Sequence, residues 1–106
     1  MKDIEKIAAL DGVDLVSIGP TDFSEYMGIR DPSSPVLRER ITELANQIKA
    51  IGKAKMQFPM NHAALPLGPK ELQNLGVGYA HVSPPPSTVL MRSLKDRLDN
   101  IHKELA

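Results

Sequence analysis

The sequence predicts a parallel α/β fold, on three observations. Amphipathic helical stretches alternate with apolar runs too short to be helices. A glycine separates each helix from the strand that follows, and each strand runs out into a proline-bearing loop. So short a link makes the strand run back along its helix, so successive strands are parallel and joined by right-handed crossovers.

In order, the first helix is expected over 3–10, where Ile4, Ile7, Ala8 and Leu10 lie together before Gly12. The strand at 13–18 follows, rich in β-branched residues. The clearest helix spans 35–51, because Leu37, Ile41, Leu44, Ile48 and Ile51 recur at steps of three and four and share one face. Ser34 is placed as its N-cap, Pro35 takes the first helical position, where a missing N–H costs nothing, and Gly52 is the left-handed residue that ends it. A second strand is expected at 54–58, a short helix at 69–75 closed by Gly76, and a third strand at 77–82. The last helix, 87–105, carries Leu90, Leu94, Leu98, Ile101 and Leu105 in one aliphatic stripe, with His102 and Lys103 near its negative carboxyl end.

A chain of 106 residues has the size of one domain, 1–106, and falls well short of the roughly 250 residues of a complete eight-fold β/α barrel. Its 13 basic and 13 acidic residues are scattered, so no field gathers a nucleic acid or an anionic membrane, and neither is expected as a partner. The lack of cysteine excludes a disulfide framework and a thiolate metal site, and fits a reducing compartment; the expected location is the cytoplasm. The first residues lack the apolar core of a signal peptide, and no later stretch has the length of a bilayer-spanning helix, so a soluble protein is expected.

Three parallel strands leave two unpaired edges, and such a sheet under four helices is thin for a monomer. Completion is expected, either from a complementing half-barrel chain or from a homo-oligomer that pairs edge to edge or exchanges its last helix. The three loops after the strands, Gly19-Pro20-Thr21-Asp22, Pro59-Met60-Asn61-His62 and Ser83-Pro84-Pro85-Pro86, share the carboxyl edge of the sheet, where α/β proteins bind ligands.

The run from Gly12 to Ser24, with Gly19-Pro20-Thr21-Asp22 at its centre and Met27-Gly28-Ile29 after it, resembles the sixth-strand signature of the HpcH/HpaI aldolases, relatives of citrate lyase beta subunits. The likeness continues through Ser34-Pro35-Val36, Ala50-Ile51-Gly52-Lys53 and Leu75-Gly76-Val77; only the Gly-Pro-Thr-Asp segment is specific. The resemblance implies that the chain is the carboxy-terminal portion of a (β/α)8 TIM barrel. It implies a carbon–carbon lyase in which a divalent cation, Mg²⁺ or Mn²⁺, chelates a 2-oxo acid such as pyruvate and stabilises its enolate. By motif position, Asp22 is similar to the family's metal-binding aspartate, and Gly19, Pro20 and Thr21 resemble the turn that receives the substrate carboxylate. The family's partner glutamate, enolate-stabilising arginine and proton-transferring histidine belong to segments with no counterpart here, so no catalytic residue is assigned. Phe23 stands where a leucine is usual, and Ser83-Pro84-Pro85-Pro86 replaces a turn bearing glycine and aspartate.

The same residues have plainer readings. Asp22 reads alone as the N-cap of a short helix from Phe23 to Met27. His62 reads as an exposed loop histidine, with proton carriage as the alternative; His81 reads as a hydrogen-bonded core histidine and His102 as a surface residue. Lys53 and Lys55 read as solvated, a Schiff-base role requiring a long reach to the carboxyl edge. Beside the incomplete lyase stand two alternatives: a non-catalytic half-barrel oligomerisation module or remnant, and a small phosphate- or carboxylate-binding domain that uses the loop from Gly19 to Asp22.

Overall fold

The computed structural model describes residues 3–31 and 33–106. Its elements are α1 (Ile4–Ala8), β1 (Leu15–Ser17), α2 (Pro20–Tyr26), α3 (Pro35–Ile51), β2 (Lys55–Gln57), α4 (Pro69–Asn74), β3 (Val77–Tyr79) and α5 (Pro86–Leu105). The sheet has the order β1-β2-β3, and both pairs are parallel.

The strands lie where the sequence places them and run as expected, but each keeps only three residues. Isolated bonds continue the pairing: Lys55 N–H donates to the Asp14 carbonyl at 3.0 Å, Ile18 N–H to Gln57 at 3.2 Å, and Met60 N–H to His81 at 2.8 Å. The shortening on the β3 side follows from a register shift between Met56 and Gln57, which interrupts the regular ladder.

Helix α3 matches its expected bounds. Pro35 occupies its first turn, Ser34 takes the N-cap position without a side-chain capping bond, and Gly52 ends the helix at φ 75°. Its buried residues, Leu37, Ile41, Leu44, Ala45 and Ile48, join Val16, Ile18, Met56 and Phe58 in the core. Helix α1 is shorter than the expected 3–10. Ile4 and Ala8, one turn apart, face the core, while Ile7 and Leu10 are exposed.

Alternation along the strands shows which face of the sheet is covered. Val16, Ile18, Met56 and Phe58 are buried, whereas Leu15, Ser17 and Lys55 on the other face are exposed. Helix α3 lies against β2 and α1, and α4 lies against β3. Strands that follow one another in sequence without a reversal of order place right-handed crossover helices on one face, and one buried face is what is found.

Helix α5 departs from the expectation that four helices cover the sheet. None of its residues is buried, and the molecule measures 61 × 29 × 22 Å because this helix stands off from the body. The covered face is already occupied by α1, α3 and α4, and the aliphatic stripe of α5 does not join the core. Among the described residues, no helix is long and apolar enough to cross a membrane.

Gly78, beside the register shift, lies under the side chain of Lys55. A Cβ at this position would come within 2.5 Å of Lys55 Cδ and 2.7 Å of Lys55 Cβ. The Cδ can swing aside, but the Cβ is fixed by the backbone of β2. Gly78→Ala is therefore expected to lower stability by about 1–3 kcal/mol, seen as a lower urea midpoint at unchanged slope.

Candidate ligand site at the carboxyl edge

The exits of the three strands meet in a shallow cleft of about 230 Å³. The β1 side contributes Ser17, Ile18 and the run Gly19 to Asp22; the β2 side contributes Pro59 and His62, and the β3 side His81. The sheet thus brings together every residue proposed from the Gly-Pro-Thr-Asp segment.

The path of β1 into α2 sets Asp22. Gly19 is extended at φ −84°, ψ 111°, and Pro20 starts the helix, so Phe23 N–H donates to the Gly19 carbonyl at 3.0 Å. Asp22 is therefore inside the first turn of α2 and not the cap of a helix at 23–27; it makes no capping bond. Proline's fixed φ suits the first helical position, which starts the helix earlier than an aspartate cap would. The Ser24 hydroxyl donates to the Thr21 carbonyl at 2.8 Å and tightens the turn. Asp22 is exposed, and its carboxylate folds back over Gly19, with Oδ2 3.6 Å from where a Cβ on that glycine would lie. Gly19 and Thr21 are exposed at the cleft, while Pro20 is buried and anchors the turn.

His62 is held more firmly than an exposed loop histidine. Asn61 adopts φ 53°, and its N–H donates to the Leu67 carbonyl at 2.9 Å; His62 and Leu65 form an isolated antiparallel bridge. Within this small closed loop, Ala64 N–H donates to His62 Nδ1 at 3.0 Å, and the imidazole is half-buried. His81 is not the core histidine expected from its position. Strand β3 ends at Tyr79, and His81 is exposed beyond it, its carbonyl accepting the Met60 N–H. His102 is exposed on α5, as expected.

Neither lysine serves the cleft. Lys53 Nζ is tied to the Ala9 carbonyl at 3.2 Å and to Asp11 Oδ1 at 2.9 Å, residues before β1 and so at the sheet's opposite edge. Lys55 is exposed at the start of β2, its stem over Gly78. Away from the cleft, hydrogen bonds from the Ser33 hydroxyl and N–H, at 2.7 and 2.9 Å, hold the Asp31 carboxyl below the usual carboxylate range.

Asp22 is the one carboxylate lining the cleft, and among the described residues no group of three or more His, Asp or Glu could hold a metal ion. The residues of this chain alone therefore do not fit a hard divalent cation, which takes six or more oxygen ligands and usually more than one carboxylate. Beside the cleft runs a larger groove of about 640 Å³ along the unpaired edge of β1, lined mainly by apolar residues such as Ile4, Ile7, Leu15 and Phe23. Gly19 and Asp22 line both spaces.

Sequence reasoning named Asp22 and its turn, which line the cleft, but did not single out Ser17, which lines it too, and read His62 as exposed where it is half-buried. The parity of β1 pointed to Ser17, which lies on the face opposite Val16. Asn61 pointed to His62, because asparagine is enriched at positive φ and so signals a tight loop.

No family model matches the chain. Over 97 residues it is 34% identical to a hydroxypyruvate/pyruvate aldolase of Pseudomonas aeruginosa; the match covers 91% of this chain and 34% of that protein. The chain thus spans about a third of the length of the curated relative it matches.

Proposed function

We propose that this chain supplies part of the carboxyl-edge site of a carbon–carbon lyase, an aldolase that releases pyruvate or a similar 2-oxo acid, and that residues outside the chain complete the site. The observation that carries the reading is the position of Asp22. It stands exposed at the rim where three parallel strands end, within the Gly-Pro-Thr-Asp segment of a chain similar to an aldolase over 91% of its length.

A place within a TIM barrel is supported by the sequential strand order and by burial of one sheet face only, since a doubly wound sheet reverses its order and covers both faces. The apolar groove along β1 supports the docking of a further β/α unit at that edge. Mg²⁺ or Mn²⁺ then belongs to the completed assembly, with Asp22 as this chain's ligand and Gly19, Pro20 and Thr21 beside the substrate carboxylate. A cysteine-free chain suits the cytoplasm.

The test mixes the purified chain with the segments of the Pseudomonas aeruginosa aldolase that lie outside the match, in the presence of Mg²⁺ or Mn²⁺. Retro-aldol release of pyruvate by the mixture, absent from either component, is the expected result. A stoichiometric complex without such activity would sink the lyase reading.

One observation favours the second reading, a non-catalytic module that assembles with its own copies. On α5, Met91, Leu94, Leu98, Ile101 and Leu105 are each more than half exposed. Their alternating steps of three and four form a narrow seam of the kind that packs against another helix, and a second copy offers an identical one.

A further inference from the structure

We propose that His62 is a hydrogen-bond donor, through Nε2–H, to an oxygen of a small organic acid held in the carboxyl-edge cleft. The inference rests on the reading of that cleft as a 2-oxo acid site and adds a residue to it.

Hydrogen-bond geometry assigns the tautomer. Ala64 N–H donates to His62 Nδ1 at 3.0 Å, so that nitrogen presents a lone pair and carries no proton. The proton of the neutral ring is then on Nε2, its remaining polar edge. A nitrogen that holds a proton has no lone pair for a cation, so His62 is unsuited to ligate a metal through Nε2 and suited to donate to an oxygen. Its loop is fixed before any ligand arrives: Asn61 at φ 53°, the Asn61 to Leu67 bond and the His62–Leu65 bridge leave the ring little freedom. A donor held in place loses less entropy on binding than a mobile one.

The cleft needs such a donor. Neither lysine nor arginine lines it among the described residues, and Asp22, its one carboxylate, repels a free acid. His62 lines the same space from the β2 exit. A hydrogen bond to an ionised acceptor is worth enough for roughly a tenfold change in affinity.

The experiment follows the imidazole nitrogens of the full chain, mixed with the segments of the aldolase outside the match and with Mg²⁺, by long-range ¹H–¹⁵N correlation during titration with pyruvate, acetate or inorganic phosphate. The expected starting spectrum shows His62 protonated on Nε2, and pyruvate moves that resonance. Two variants separate the donor from the loop. His62→Asn places an oxygen where Nδ1 accepts the Ala64 N–H but removes the distal donor, and should weaken pyruvate about tenfold with no change in thermal unfolding. His62→Gln keeps a distal N–H and should retain most of the affinity. A proton on Nδ1, or pyruvate that moves the Gly19 to Asp22 amides while leaving His62 still and the Asn variant unimpaired, overturns the inference and leaves the proposed function standing. Equal responses to phosphate, acetate and pyruvate uphold the donor and overturn the 2-oxo acid reading.

Discussion

On the proposed function, Asp22→Asn is expected to cut the pyruvate release of the completed assembly by more than about a hundredfold, because loss of a carboxylate that ligated the metal would exceed the tenfold to hundredfold loss typical of outer-shell changes. The same change should leave the fold intact. The carboxylate is exposed and caps nothing, so the unfolding free energy should shift by no more than about 0.5 kcal/mol. Asparagine keeps the side chain's shape and one oxygen while removing the charge, which separates charge from packing. Parallel measurement of turnover against Mn²⁺ concentration and of the urea midpoint checks both halves of the statement. An Asn variant that turns over normally would remove Asp22 from the site, whatever the fold.

Phe58→Ala should have the opposite profile, a loss of the fold itself. Phe58 lies immediately after the central strand with no exposed surface, and its N–H donates to the Tyr79 carbonyl at 3.2 Å. It packs in the single cluster that joins α1, α3 and the sheet. Truncation to alanine removes its contacts and leaves a cavity that its neighbours close only in part, at a cost of about 3–5 kcal/mol. A domain of this size has a total stability of about 5–10 kcal/mol, so the variant should be largely unfolded in mild urea. Tyr79→Ala is the control. Tyr79 is 55% exposed, and its removal should move the midpoint little. Similar losses for both would mean that Tyr79 is covered in solution.

The parts of this fold that are local in cause were legible in the residues. Pro35 and Gly52 mark both ends of α3 because each acts through its own backbone, and the spacing from Leu37 to Ile48 names the buried face. Parallel pairing followed from the short links between helices and strands. The early start of α2 was equally local, since Pro20 repeats the device of Pro35, but the aspartate two residues on gave a competing signal. What was not legible depends on distant partners. The stripe of α5 states that the helix is amphipathic without stating what it meets, and His81 reads as core only if β3 continues past Tyr79. The tautomer of His62 depends on Ala64, which is set by the closure of a loop whose other end is at Leu67.

Helix α5, twenty residues long and about 30 Å from end to end, has a thermodynamic consequence for the chain in solution. A helix of this length with no tertiary packing is marginal in water, so its order is linked to whatever covers its leucines. On the reading that copies of the chain cover it, dilution should melt it while the α/β body stays folded: ellipticity at 222 nm should rise with protein concentration, and the amides of α5 should exchange rapidly in dilute samples. The carboxyl-terminal fifth of the chain then acts as a gauge of association, with mass action deciding whether it is rod or coil.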